Sequence, residues 1–272
     1  MLVLFSESVT PRLAVYGLGQ VGVVLTALQH DGAYLAIDPY LTDSIEQQEP
    51  GTEFVRAFAP PCKPEDLRDA TGVLITHHHG DHLDPLTVSR LAAAAPALTI
   101  AAPAPHRHLL GDAGVAPEQR LEAREGESFA MGPFRITPVG ASHTSYEFDE
   151  HGDHVFLGYF IELDDMRIYH AGDTVLTEEL LEAVRAFAPH VAFLPINGGD
   201  YARTSRNIVG NMNYREALDL TALAGIEIVF PMHIDLFPNN RENPSYFVDD
   251  LYARYPGQHF HMLMAGERFL CP

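Results

Sequence analysis

The sequence predicts an α/β chain in which helices pack on sheets. Three observations carry this. Strand-like apolar runs alternate with helical patterns, "ELDDMR" reads as a tight turn between antiparallel strands, and the last third alternates helix and strand. Strands are expected at "RLAVYG", "AYLAID", "GVLIT", "LTIAA", "FRITPVG", "FLGYFIEL", "RIYHAG", "VAFLPI", "IEIVFPM" and "FHMLMA". Helices are expected over residues 85–95, 178–187, 214–224 and 244–255. The first has clear start chemistry, because Asp84 can cap it and Pro85 suits a first helical position that needs no N–H. "AYLAIDPYLTDS" and "MRIYHAGDTVLTEE" run alike from a β-rich segment through Asp into a Thr-containing loop. Two related α/β halves and chance explain this likeness equally well.

The first strand enters "AVYGLGQVGVVL", a complete G-x-G-x-x-G at Gly17, Gly19 and Gly22, with Asp38 following. This matches the fingerprint of a dinucleotide-binding turn. The residues after it fit a helix (Val21, Val24, Leu25, Leu28) as well as a strand (Val21, Val23, Leu25, Ala27). Asp31-Gly32 between apolar runs is a hairpin signal, and a helix from Gln20 to His30 would be only about 16 Å long. The expectation is therefore a hairpin whose glycines let a strand bend, not a nicotinamide site.

Composition narrows the function classes. There are 17 Lys and Arg against 37 Asp and Glu, a formal charge of −20, which disfavours nucleic acid as a partner. No apolar run approaches the roughly 18 residues needed to span a bilayer. "MLVLFSESVT" lacks the basic region and cleavage site of a signal peptide. Two cysteines, Cys62 and Cys271, make no disulfide framework, so a cytoplasmic setting is expected. The 15 histidines are many for 272 residues and ask for a chemical reason.

That reason is "LITHHHGDHLDP", which holds His77, His79, Asp81 and His82 on a loop between a strand and a capped helix. This order lets His77 and His79 share one ion while Asp81 and His82 face a second, about 3.5–4 Å away, with His78 pointing elsewhere. Three later strand ends offer further donors: His143 in "GASH", Asp173 in "AGDT" and His233 in "FPMHID". Each alone fits a structural role; together they form a donor set for a hard or borderline divalent ion, with no competing cysteine. His151 and His154 read as a surface loop, and His106 and His108 as an exposed helix start. His170 reads as a packed strand residue or a support behind the site.

These motifs, together with "IDPYLTDS", resemble the metallo-β-lactamase superfamily and, within it, the L-ascorbate-6-phosphate lactonase-like (UlaG-like) branch. The resemblance implies a four-layer αβ/βα sandwich with mixed sheets, one hydrolase domain over residues 1–272, and metals at one sheet edge. It implies that His77, His79 and His143 hold a first ion, and that Asp81, His82 and His233 hold a second. Asp173 would bridge them, and Asp38 would support the metal loop. Every ligand position is filled, so a competent binuclear site is expected. Zinc is the first choice of ion and manganese the second.

The chemistry expected is hydrolysis of a small ester, lactone or phosphoester by a metal-bridged hydroxide, with Asp81 and Asp173 as the catalytic carboxylates. Alternatives are a phosphodiesterase or nuclease of the same superfamily, a thioesterase of the glyoxalase type, and a non-catalytic metal-binding protein. In "PINGGDYARTSRNIVGNMNYREA", Asn197, Tyr201, Arg203 and Arg206 are the candidates for contacting a small, anionic substrate. The competing reading is a surface loop with solvated arginines. A homo-oligomer is left open.

Overall fold

The computed structural model describes residues 10–271, so residues 1–9 of "MLVLFSESVT" lie outside it. β1 (Leu13–Gly19) and β2 (Gly22–Ala27) form an antiparallel hairpin, which β3 (Tyr34–Ile37) extends. After a short α1 (Ser44–Gln48), β4 (Gly72–Leu74), α2 (Pro85–Ala94), β5 (Ile100–Pro103), α3 (Arg107–Asp112) and β6 (Arg120–Ala123) follow. Their strands add to β3 in parallel. The second sheet opens with β7 (Phe129–Met131), β8 (Phe134–Gly140), β9 (Leu157–Leu163) and β10 (Met166–His170), all antiparallel. α4 (Glu178–Phe187), β11 (Val191–Pro195), α5 (Tyr201–Thr204), α6 (Tyr214–Ala224), β12 (Ile228–Met232), α7 (Pro244–Arg254) and β13 (His259–Phe260) complete it, with these strands in parallel. β14 (Arg268–Cys271) returns to the first sheet beside β1.

Alternation along the strands builds the layers. Leu35 and Ile37 of β3 point into the space between the sheets, where they meet Phe134, Ile136, Tyr159, Ile161 and Phe193; Ala36 points outward. The outer face of the first sheet is closed by Val88, Leu91 and Leu110 of its helices. Leu180, Val184, Leu218 and Phe247 close the outer face of the second. The result is the expected four-layer sandwich with mixed sheets.

The helices begin where local chemistry satisfies their free N–H groups. Asp84 accepts from Leu86 N at 3.1 Å, Thr177 caps α4, Asn213 caps α6 in a capping box with Glu216, and Asn243 precedes Pro244. "ELDDMR" is the turn between β9 and β10, with Asp164 at φ 52°. "FHMLMA" departs from expectation, because the strand stops at Phe260. The chain then crosses toward β1, where Gly17 N donates to Glu267 O and Gly266 N to Gly17 O.

The glycine motif is a hairpin, and its glycines answer steric demands. A Cβ on Gly17 would meet the Met264 carbonyl oxygen at 2.3 Å, and one on Gly22 would meet the Asp38 oxygen at 2.9 Å. Gly19, at φ +94°, begins the turn that carries Gln20. No helix follows, so no dipole end faces a pyrophosphate.

Candidate metal centre

In each sheet the pairing changes from antiparallel to parallel at one place, between β3 and β4 and between β10 and β11. The loops leaving those strands carry Asp38 and Asp173, so the two look-alike segments occupy corresponding places in the two sheets. Such switch points at strand ends are where open sheets collect ligand-binding side chains. The β4 loop adds His77, His79, Asp81 and His82, the loop after β8 adds His143, and the loop after β12 adds His233.

All seven predicted ligands come together. One group is His77, His79, His143 and Asp173; the other is Asp81, His82 and His233. Within each group the donor atoms lie within 4.8 Å of one another. Asp173 reaches both: its Oδ2 is 3.6 Å from His143 Nε2 and 3.4 Å from His233 Nε2, and its Oδ1 is 3.5 Å from His82 Nε2. Bonds of about 2.0–2.2 Å to a tetrahedral ion place its ligand atoms about 3.3–3.6 Å apart, so these spacings suit such an ion. His82 Nε2 and Asp173 Oδ1 are buried without a hydrogen-bond partner, an arrangement that a cation would satisfy.

The imidazoles are aimed from behind. His82 Nδ1 donates to Asp38 Oδ2 at 2.8 Å, His77 Nδ1 lies 3.0 Å from Thr76 Oγ1, and His233 Nδ1 lies 3.3 Å from Asn240 O. Donation from Nδ1 leaves Nε2 as the free lone pair at each ring. Asp38, fully buried, also accepts from Thr76 N at 2.8 Å and from Thr76 Oγ1 at 2.6 Å, so it braces the β4 loop.

The buried charges act on the site's groups in opposite directions. Burial would raise the Asp173 carboxyl, but His233 and His82 hold it well below the usual carboxylate range. For His82, burial opposes protonation, yet Asp173, Asp81 and Asp38 lift it well above its ordinary value. Burial pushes His77 far down, with His82 and His79 adding to the effect, and pushes His79 down to about 4. His77 and His79, kept neutral, are ready to donate lone pairs, whereas at His82 an ion would have to replace the proton that the three carboxylates favour.

Gln20 was invisible as a site residue in the sequence. It stands on the β1–β2 turn with φ +59°, and its Nε2 donates to Asp81 Oδ2 at 2.8 Å and lies 3.1 Å from the His233 ring nitrogens. The turn is clamped to the β12 loop by Gln20 N donating to Asp235 Oδ1 and His233 N donating to Gln20 O, both at 2.9 Å. The only sequence signal was its place in a glycine-flanked turn. Gln20→Ala is expected to weaken divalent-metal binding about 10- to 100-fold, read by competition titration; unchanged affinity would remove Gln20 from the support of Asp81 and His233.

A cavity of about 380 Å³ opens over the cluster, with His79, Asp81, His143, Asp173 and His233 at its floor. The segment over residues 195–217 does reach it, but through Asn207, Ile208 and Val209. The four substrate candidates named from sequence do not line it. Asn197 is buried, donating to Asn240 Oδ1 and accepting from Asn211 Nδ2. Arg203 donates to Asp200 Oδ2 and to Asn197 O, both at 2.6 Å, so its fork holds the loop together. Arg206 pairs with Glu53, and Tyr201 is 90% exposed. Their partners are protein groups that sequence spacing does not reveal.

The remaining histidines divide. His170 is buried and packed, with Nε2 donating to Val21 O at 3.0 Å. His154 pairs with Glu125 and His108 lies on the surface. His106 corrects the expectation of an exposed helix start. It is buried, its Nε2 donates to Val155 O at 2.8 Å, and burial pushes its pKa down to about 4.

The model of the Beta-lactamase superfamily domain matches residues 35–234. The chain belongs to the metallo-β-lactamase superfamily. A UPF0173 metal-dependent hydrolase from Exiguobacterium sp. is 29% identical over 247 residues, covering 89% of this chain and 94% of the relative. One from Enterococcus faecalis is 32% identical over 184 residues, covering 66% and 74%. The chain is thus a member of the UPF0173 metal-dependent hydrolase family within that superfamily. The structure of Igni18, a metallo hydrolase from Ignicoccus hospitalis, shares 25% identity at a TM-score of 0.67, covering 96% of this chain and 98% of that one. In this superfamily member no helix of the described residues is long and apolar enough to cross a membrane.

Proposed function

We propose that this protein is a hydrolase acting with two divalent cations on a small ester, lactone or phosphoester, with residues 1–272 serving as one hydrolase domain. The observation that carries the reading is the Asp173 carboxylate, set 3.4–3.6 Å from histidines of both donor groups. His77, His79 and His143 would hold one ion, Asp81, His82 and His233 the other, and Asp173 both. Such ions supply Lewis acidity and an acidified water at neutral pH. Five imidazoles and two carboxylates suit zinc first and manganese second.

The chain's own groups do the positioning. Asp81 is held by Gln20 Nε2 and borders the cavity, where it orients the attacking water and accepts its proton. The cavity is partly open to solvent, and a volume of this size admits a small molecule. The resemblance to the lactonase-like branch supports an acyl centre and puts lactones in the test.

That test is a chelator-stripped sample reloaded separately with zinc and with manganese, then assayed on lactones, carboxylic esters and phosphodiesters. Hydrolysis should vanish on stripping and return with two equivalents of one ion. Activity that survives complete metal removal would sink the proposal.

A further inference from the structure

The cavity over the metal cluster differs in character from the surface of the protein. One wall is apolar and partly aromatic: Ile45, Phe54, Ile208, Val209 and Phe237. Phe54 meets Phe237 edge-to-face at 5.5 Å between ring centroids, and Tyr40 and Leu236 pack behind them. Among the described residues that line it there is no Lys or Arg; Glu49 is the one charged residue outside the metal cluster. Three arginines of neighbouring segments are engaged, and Arg241, next to the lining residue Asn240, is exposed and does not line the cavity. Arg203 holds Asp200 and Asn197 O, Arg206 pairs with Glu53, and Arg56 donates to the carbonyls of Tyr40, Thr42 and Phe58. Residues 1–9 contain no Lys or Arg that could supply a cation.

We infer that the substrate is an uncharged ester or lactone carrying an apolar or aromatic group, and not a phosphorylated or carboxylated one. This rests on the hydrolase reading above and narrows it. A charged tail placed against the apolar wall, away from the metal floor, would lose its hydration without gaining a cationic side chain from the lining, and it would face Glu49 within a chain of formal charge −20. An alkyl or aryl group would instead leave water for the Phe54–Phe237 wall. The reactive carbonyl then lies at the floor beside Asp81 and Asp173. Water adds at the acyl carbon and the acyl C–O bond breaks, its electron pair leaving with the alcohol oxygen. Asp81 passes on to that oxygen the proton it took from the water. The other proton of the attacking water goes to solvent as the acid product ionises to the carboxylate.

The test uses metal-loaded protein and three probes: 4-nitrophenyl butyrate, the 4-nitrophenyl monoester of glutaric acid, and bis(4-nitrophenyl) phosphate. The neutral ester should exceed the carboxylated one in kcat/KM by about tenfold or more. Phe54→Ala should raise KM for the neutral ester more than it lowers kcat. Val209→Lys, at a partly exposed position that tolerates a long side chain, should narrow the gap by about fivefold or more by adding the missing cation. Equal or faster turnover of either anionic probe by the unmodified protein overturns the substrate class and leaves the hydrolase reading standing. A gap unchanged by Val209→Lys, or a KM for the neutral ester unchanged by Phe54→Ala, also overturns it. No turnover of any probe by metal-loaded protein overturns both.

Discussion

Asp173→Ala is expected to abolish hydrolysis, with kcat/KM falling by about a thousandfold or more, and to empty at least one metal position. The reason is geometric. Among the described residues no other carboxylate approaches histidines of both donor groups: His143 lies 3.6 Å from one oxygen, His233 3.4 Å from the same oxygen, and His82 3.5 Å from the other. Asp81→Ala should be nearly as severe, because it removes the only carboxylate of the second group and the acceptor held by Gln20. The fold should persist in both variants, since the apolar layers between and outside the sheets do not include either residue. Metal content, kcat and circular dichroism on the same samples check this. Full activity in either variant would overturn the assigned roles.

Asp38→Ala is expected to damage both stability and metal affinity although Asp38 belongs to neither donor group. Its carboxylate accepts from Thr76 N, Thr76 Oγ1 and His82 Nδ1, all within 2.8 Å and fully buried. Truncation strands those donors in a dry site at a cost of about 3 kcal/mol. It also frees the His82 ring to turn, which should weaken metal binding about 10- to 100-fold. Asp38→Asn should fall between, since Asn tolerates the φ of +45° and keeps one acceptor for the loop. Urea unfolding of the metal-free protein and metal titration separate the two effects. If Asp38→Ala binds metal as tightly as the parent, the support role fails.

Much of the centre could be read from the chain because its first part is local. His77, His79, Asp81 and His82 sit within six residues on one loop, and a strand followed by a capped helix brackets them. The helix starts were equally legible, since Asp84, Thr177, Asn213 and Asn243 act on N–H groups two or three residues away. His143, Asp173 and His233 were found because each follows a β-rich run. What the sequence left obscure depends on partners far along the chain. Arg203 and Arg206 suggested an anion site by residue type alone, and only Asn197 O, Asp200 and Glu53 reveal where their forks go. His106 read as exposed until Val155 O was seen above it. The short β6, β7 and β14 strands carry too few residues to announce a period.

Local chemistry thus determined, from sequence by itself, the α/β class, the capped helices, the hairpin reading of "GLGQVG" and the histidine-rich loop of the candidate metal centre. Side-chain type and spacing within short stretches of chain are enough for each of these. The tertiary structure alone decided that Gln20 from that hairpin reaches Asp81, that Asp38 locks His82, and that the cavity wall is Phe54 and Phe237 in place of arginine. Those outcomes come from the packing of the two sheets, which brings together residues as distant in sequence as Gln20 and His233, 213 positions apart.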